Sequence, residues 1–385
     1  MFLRTFGGSF GVTIAALVAA FFYGGPSALV LAAILGVLEV SLSFDNAVVN
    51  ATVLRTMSAF WRKMFLTVGV LIAVVGMRLI FPILIVSATA SLSPVRVVTL
   101  ALQAGDPETP GTYGFLLRAA HPAIAAFGGA FLLLLFLNFI FEEREITWLS
   151  WLERPLARIG KLDQLAVVVT LGLVVGAAYL FAPGDKIDTV LLSGVLGTVV
   201  YILVNGLGSF FESDDEEGQE GEDDVPGIHG DAETVAGAVE RPSARAVVLK
   251  VGKVAFASFL YLEVLDASFS FDGVVGAFAI TSDPIIIALG LGIGAMFIRS
   301  LTVFLVNKGT LDDYVYLEHG ALWAIGALAI ILLTTIRFDV PEVVTGLIGV
   351  GFIAAAFVSS LVRNRREGGG PESPSDEKQP EMARA

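Results

Sequence analysis

Cysteine is absent from this chain of 385 residues, and histidine occurs only three times. The lack of cysteine excludes disulfides, thiolate metal sites and cysteine nucleophiles. Charged residues are also scarce, at 16%, while hydrophobic residues make up 55% of the chain. With a mean hydropathy of +0.80, the chain has too little polar sequence to cover the surface of a soluble domain. The composition therefore predicts an all-α, polytopic membrane protein.

Apolar segments long enough to span a bilayer, which takes about 17–25 residues each, predict ten transmembrane helices. They cover residues 9–23, 27–54, 63–87, 121–142, 164–182, 186–211, 246–279, 283–307, 318–337 and 341–362. The lysines and arginines other than Arg78 and Arg299 would divide 18 to 4 between the two sides of the membrane. By the positive-inside rule, this bias predicts that both termini are cytoplasmic and that residues 88–120 are external.

Most of the formal net charge of −13 comes from one stretch. Residues 212–240 contain twelve acidic residues and no lysine or arginine. A Gly-rich acidic run cannot bury apolar surface, so 212–245 is predicted to be a disordered cytoplasmic linker. The tail 363–385, rich in Gly, Pro, Ser and charge, is interpreted in the same way.

Two short runs resemble each other, and both place carboxylates inside apolar sequence. They read Glu39-Val-Ser-Leu-Ser-Phe-Asp45-Asn46 and Asp266-Ala-Ser-Phe-Ser-Phe-Asp272-Gly273. An acidic side chain at the bilayer centre costs roughly 2.5–3.5 kcal/mol, so these four carboxylates and Glu263 together would cost roughly 12–17 kcal/mol. That rivals the whole stability of an ordinary domain, about 5–15 kcal/mol. Arginines, protons or a bound cation must therefore compensate the charge.

The similarity extends into an internal repeat. An arginine follows each acidic run in the next span, Arg78 in the first copy and Arg299 in the second, and a histidine opens each third span, His121 and His319. Because the copies are five spans apart, they cross the membrane in opposite senses, as in many secondary transporters. The predicted organisation is a first helix (1–26), repeat 1 (27–142), two connecting helices (143–211), the linker, inverted repeat 2 (246–337) and a last helix (338–362).

Each acidic run is predicted to be a broken helix, near Ser43–Asn46 and near Ser268–Gly273. At about 100° per residue, a straight helix cannot aim both acids of one run at the same point. Breaks that line an enclosed cavity would add backbone carbonyls to the carboxylates, a donor set that suits Mn²⁺, Mg²⁺ or Ca²⁺. The candidate metal ligands are Asp45, Asp272, Glu39, Asp266, Glu263 and Asn46.

Arg78 and Arg299 are the candidate charge partners of these acids, because each lies too deep in its span to reach the interface. Ion pairing that only joins helices is the alternative interpretation of the acidic runs. Five acids against two arginines leave three negative charges, however, which favours a cation site. His121 and His319 are interpreted as residues at helix starts, near the interfaces, rather than as ligands.

The two acidic runs and the arginine after each resemble the signature of the TerC family of bacterial membrane proteins, within the LysE-type exporter group. The Ser-Phe-Asp forms, which end at Asp45 and Asp272, and the start Glu318-His319-Gly-Ala resemble a subgroup of unknown function. This resemblance implies location in the bacterial inner membrane and Mn²⁺ efflux. It also implies older links to tellurite resistance and metal loading of exported enzymes. Family members usually carry Gly-Ile-Asp-Asn and Ala-Val-Asp-Ser where this chain has the two Ser-Phe-Asp forms.

The leading functional hypothesis is a transporter, not an enzyme, that exports a divalent metal by alternating access, with exchange for protons as one form of coupling. Its expected partners are the metal ion, protons and the lipid bilayer, with no resident cofactor and no nucleic acid. An intramembrane aspartyl protease built on Asp45 and Asp272 is a weaker alternative, because the Tyr-Asp, Gly-x-Gly-Asp and Pro-Ala-Leu sequences of those enzymes are absent. A scaffold or translocon partner that does not transport is a third hypothesis.

Overall fold

The computed structural model describes residues 2–103, 105–162, 164–220, 249–281, 283–308 and 313–366. Inside some helices it describes the backbone alone, as at residues 270–272. The described residues form helices joined by short turns, with no β-strand among them, so the predicted all-α class is confirmed. Most of the predicted linker and tail lie outside the described residues.

The helices follow one another as α1 (Phe2–Leu42), α2 (Phe44–Leu54), α3 (Ala59–Thr89), α4 (Pro94–Leu102), α5 (Tyr113–Phe141), α6 (Ser150–Ile159), α7 (Leu165–Phe181), α8 (Ile187–Glu220), α9 (Gly252–Ile280), α10 (Pro284–Lys308), α11 (Leu317–Thr335) and α12 (Glu342–Arg366).

Seven of these described helices are long and apolar enough to cross a membrane: α1, α3, α5, α8, α10, α11 and α12. The chain is therefore a multi-pass membrane protein. Helix α7, with 17 residues, is a shorter apolar helix, and α9 carries acidic residues in its apolar run. The prediction of ten spans and of an inverted repeat is not settled by this count and stays a prediction.

Helix α1 contains a kink between the predicted spans 9–23 and 27–54. Gly25 has a φ of +73°, a conformation that side chains rarely adopt, and Pro26 follows it. The backbone is also non-helical at Gly24. Without this kink, 41 residues at 1.5 Å each would form a rod of about 60 Å, twice the hydrocarbon thickness of a bilayer.

The two predicted helix breaks have different outcomes. The first acidic run is interrupted at Ser43 (φ −102°, ψ 19°), where α1 ends and α2 begins. In the second run α9 continues as helix from Gly252 to Ile280, so the predicted break at Ser268–Gly273 is wrong. The helix continues because helical hydrogen bonding is cooperative. Neighbouring helices also pack against α9 on several sides, so polar residues such as Ser268 do not end it.

The packing of the helices brings the two acidic runs together. Helix α1 packs along α10, α9 packs against α3, and α5 lies between α8, α9 and α11. The close approach of α1 to α10 depends on small residues. At Gly294 of α10 an added Cβ would overlap the side chain of Glu39, and at Gly290 it would overlap Leu35.

Several boundaries differ from the prediction. Helix α5 begins at Tyr113, eight residues before the predicted start. His121 therefore lies inside the helix, and the prediction that it stands at a helix start is wrong. Helix α8 continues to Glu220, into the predicted linker 212–245, because extending an existing helix is easier than starting one.

The short helix α4 was not predicted; Ser93 caps it by accepting a hydrogen bond from the Arg96 amide at 3.3 Å. The short helix α6 was also not predicted.

Candidate cation site

Asp45 lies in the first turn of α2, directly after the interruption at Ser43. The residue is 6% exposed, and its Oδ1 accepts a hydrogen bond from the backbone amide of Asn46 at 2.9 Å. The N-terminal end of a helix favours negative charge, so the interruption stabilises a carboxylate inside the bundle. No described lysine or arginine forms an ion pair with Asp45.

Asp45 faces a small cavity of about 40 Å³. A single water needs about 10–15 Å³ of such space, so the cavity has room for an ion with some of its hydration. Polar groups from three helices and the interruption between α1 and α2 line it: Glu39, Ser43, Asp45 and Thr345. Gly273 of α9 and Gly349 of α12 also line the cavity, together with the apolar residues Phe269, Ala324 and Leu328.

Glu39, on the last turn of α1, lines the same cavity and is paired with Arg78. Arg78 Nη2 donates to Glu39 Oε1, and Nη1 donates to the Ala73 carbonyl at 2.8 Å. Arg78 lies in a π-helical stretch of α3, Ile72–Ile80. Both partners are at most 5% exposed, so this pair neutralises Glu39 inside the bundle.

The second run has its own guanidinium. Arg299 Nη2 lies 2.8 Å from Asp266 Oδ2 and 3.3 Å from Glu263 Oε2, and Nη1 donates to the Phe65 carbonyl at 2.7 Å. The guanidinium also stacks 4.0 Å from the centroid of the Phe65 ring. One positive charge therefore faces two buried carboxylates, which leaves this group with one negative charge in excess if both are ionised.

Asn46 and Asn50 link the two runs. Both amide nitrogens donate to Asp266 Oδ1, Asn46 at 2.6 Å and Asn50 at 3.1 Å. Residues four apart lie on the same face of a helix, so α2 presents both amides to α9. Both side chains are buried, and neither amide oxygen has a hydrogen-bond donor among the described residues. Two side-chain amide oxygens without a described hydrogen-bond donor, those of Asn46 and Asn50, thus lie close to the Asp266 carboxylate.

Of the predicted ligands, Glu39 and Asp45 share the cavity, whereas Glu263, Asp266 and Asn46 belong to the Arg299 network. The Asp272 side chain lies outside the described residues, so its predicted role stays a prediction. Its neighbour Gly273 does reach the cavity, because an added Cβ there would lie 3.0 Å from Glu39 Oε2. Among the described side chains, no three acidic or histidine residues are grouped closely enough to hold a metal on their own.

The sequence interpretation missed some residues of this site. Thr345, Gly346 and Gly349 of α12 line the cavity, although the last helix was placed outside both repeats. Small residues four apart, Thr345 and Gly349, are a packing pattern of membrane helices and were the available signal. Asn50, which donates to Asp266, is also absent from the predicted ligands.

A buried acid outside the spans was also missed. Glu153 of α6 accepts hydrogen bonds from the amides of Trp148 and Leu149 and from Trp323 Nε1 at 3.0–3.2 Å, and lies 3.4 Å from His319 Nδ1. Burial alone would raise the pKa of Glu153, but the neighbouring His319 and the hydrogen bonds from Trp323 and the Leu149 amide outweigh it and lower that pKa below its usual value. His319 therefore anchors a surface helix and lies away from the cavity.

These features define a multi-pass helical membrane protein with carboxylates buried in its bundle. The sequence model of one family matches residues 44–367, which is most of the chain. The chain belongs to this family, which is described as "Protein of unknown function (DUF475)". No curated protein matches the chain. No solved structure matches it either.

Proposed function

We propose that this protein is a membrane transporter that exports a divalent metal cation through the cavity at Asp45, and that this cation is Mn²⁺. The observation that carries the proposal is the Asp45 carboxylate: it is buried within a helical membrane protein, faces a cavity shared with Glu39, and forms no ion pair with a described basic residue. A carboxylate in such a place is costly unless a cation or a proton reaches it.

The charge balance supports a divalent ion. Four buried acidic side chains, at Glu39, Asp45, Glu263 and Asp266, face two buried guanidiniums, at Arg78 and Arg299. If all six are ionised, the difference is two negative charges, and Asp272, whose side chain lies outside the described residues, would add a third. One divalent cation neutralises two of these charges. Protons could replace the cation in the empty state, and this exchange would couple export to proton entry.

The available donors favour a hard cation. Carboxylate oxygens of Asp45 and Glu39 and hydroxyls of Ser43 and Thr345 line the cavity, and the bare amide oxygens of Asn46 and Asn50 lie in the adjoining network. Oxygen ligands of this kind suit Mn²⁺, Mg²⁺ and Ca²⁺, whereas soft metals prefer thiolates, which this chain lacks.

The packing supports a two-fold relation between the two predicted repeats. If the part of α1 after its kink, α3 and α5 correspond to α9, α10 and α11, this relation exchanges the pair α1–α10 with the pair α9–α3 and maps α5–α11 onto itself. All three of these contacts are present. Inverted repeats with substrate sites at their interface are common in secondary transporters. The resemblance to the TerC family favours the same function.

The test uses the purified full chain in liposomes, with Mn²⁺ transport followed by a trapped fluorescent indicator and Mn²⁺ binding followed by calorimetry. Asp45→Asn and Asp272→Asn should each weaken binding by at least tenfold, about 1.4 kcal/mol, and abolish transport without lowering the melting temperature. The double variant should bind scarcely worse than either single one, because both acids would serve one ion.

Asp339→Asn is the matched control, since Asp339 is exposed in the turn before α12. It should bind and transport Mn²⁺ like the natural chain. Unaltered Mn²⁺ binding in either single variant would remove the metal site from the proposal. Binding without transport in the natural chain would favour a scaffold or sensor instead.

A further inference from the structure

A groove separate from the Asp45 cavity opens at the end of the bundle where α12 ends. It lies between α12 and the segment that leads into α6, and its volume is about 710 Å³. Arg154 of α6 and Arg363 and Arg366 of α12 line it, with Glu145 as the one acidic residue in its wall. The groove is therefore positively charged and large enough for a phosphate-bearing headgroup.

Hydroxyl groups accompany the arginines. The side chains of Thr147 and Ser150, which form a hydrogen bond with each other at 2.8 Å, are part of the wall. Tyr316 and Ser359 also line it, and the Ser359 hydroxyl donates to the Ala355 carbonyl at 2.7 Å. The Arg363 guanidinium is held over the Tyr316 ring, 5.5 Å from its centroid. Arginine and hydroxyl donors together are the usual ligands of phosphate oxygens.

The floor of the groove is apolar and continues along a membrane-spanning helix. Val358 and Val362, which are 56% and 42% exposed, line the groove and lie four residues apart on one face of α12. On α6, the nearby Trp151 is 75% exposed, and exposed tryptophans are typical of the membrane interface. The basic groove thus adjoins an exposed apolar face of a helix that is long and apolar enough to span a membrane.

We infer that this groove binds an anionic phospholipid, with the phosphate between Arg154 and Arg366 and an acyl chain along Val358 and Val362. The combination of a basic pocket at the interface with an apolar path below it fits a lipid, whereas a soluble phosphate would use only the upper part. The positive-inside rule predicts that this end is cytoplasmic, where anionic lipids attract basic segments.

The test measures lipid binding to the purified full chain in detergent by native mass spectrometry. Phosphatidylglycerol should bind at least tenfold more tightly than phosphatidylcholine of the same acyl chains. Arg154→Gln with Arg366→Gln should reduce the affinity for phosphatidylglycerol about tenfold and leave that for phosphatidylcholine unchanged. The corresponding double lysine variant should retain most of the affinity.

The matched control is Lys161→Gln with Arg365→Gln, which removes the same charge from the same two helical regions but not from the groove. It should change the affinity less than twofold. An equal loss in both double variants would overturn the proposal in favour of diffuse surface charge. Displacement of phosphatidylglycerol by equimolar glycerol phosphate would overturn it in favour of a soluble ligand. Equal binding of the two lipids would overturn it outright.

Discussion

The side-chain nitrogen Nδ2 of Asn46 donates a hydrogen bond to Asp266 Oδ1 at 2.6 Å, across a sequence separation of 220 residues. This bond joins the first acidic run to the second. Arg299 holds the other oxygen of Asp266 at 2.8 Å, so the carboxylate is fixed from two sides. The hydrogen-bond network around Asp266 is thus built from both halves of the chain.

Asn46→Ala should lower the free energy of unfolding by about 1.5–3 kcal/mol, because it removes a hydrogen bond to a buried charged group. Thermal unfolding in detergent would measure this. Asn364→Ala is the control: Asn364 also donates a hydrogen bond, to the Asp313 carbonyl at 2.7 Å, but at the surface. A fall in melting temperature no larger than that of the control would contradict the structural role of Asn46.

Arg78→Ala should destabilise the protein by about 3–5 kcal/mol, because it leaves Glu39 charged and buried without its partner. The double variant Arg78→Met with Glu39→Gln should recover much of this loss, since it removes both charges. Arg96→Ala, at an exposed position of α4, should have little effect. If stability is unchanged in Arg78→Ala while Mn²⁺ affinity collapses, Arg78 acts in the binding site and not as a charge partner.

Gly294→Ala should disrupt the site indirectly, because the added Cβ would overlap the Glu39 side chain and push α1 away from α10. Overpacking of this kind costs about 1–3 kcal/mol. Gly351→Ala, where an added Cβ meets nothing within 4 Å, should be neutral or slightly stabilising. Melting temperatures of the two variants in the same detergent would distinguish these effects, and equal values would argue against close packing of α1 on α10.

The Glu153 carboxylate should make the attachment of α6 sensitive to acid. Its pKa is lowered in the folded protein, so its stabilising contribution is present above the ordinary carboxyl value near 4.5 and is lost as the pH falls through the lowered value. Tryptophan fluorescence or limited proteolysis of α6 between pH 7 and pH 3 would follow this loss. Glu153→Gln should remove the pH dependence, and an unchanged acid transition in that variant would assign it to another group.

Cysteines placed at Ser213 and Thr109 should be labelled from opposite sides of the membrane, since the 18-to-4 division of basic residues predicts that 212–245 is inside and 88–120 outside. The natural absence of cysteine makes each introduced thiol the sole target of a membrane-impermeant maleimide. Labelling of both from the same side would exclude the predicted topology and, with it, the inverted repeat.

The sequence by itself determined that this protein is helical and lies in a membrane, because composition and the length of apolar runs fix both. It also identified Asp45, Glu39, Arg78 and Arg299 as exceptional, since charge in hydrocarbon needs compensation. Local conformation was predictable where local residues decide it, as at the kink of Gly25 and the interruption at Ser43.

Only the tertiary structure decided which groups meet. The pairing of Asn46 with Asp266, the wall that Thr345 adds to the cavity and the burial of Glu153 against α11 are contacts between distant segments. The continuity of α9 through Ser268–Gly273 also depends on its neighbours, which hold the helix where its own sequence would permit a break. Such contacts arise from how whole helices pack, and a local pattern of residues does not encode them.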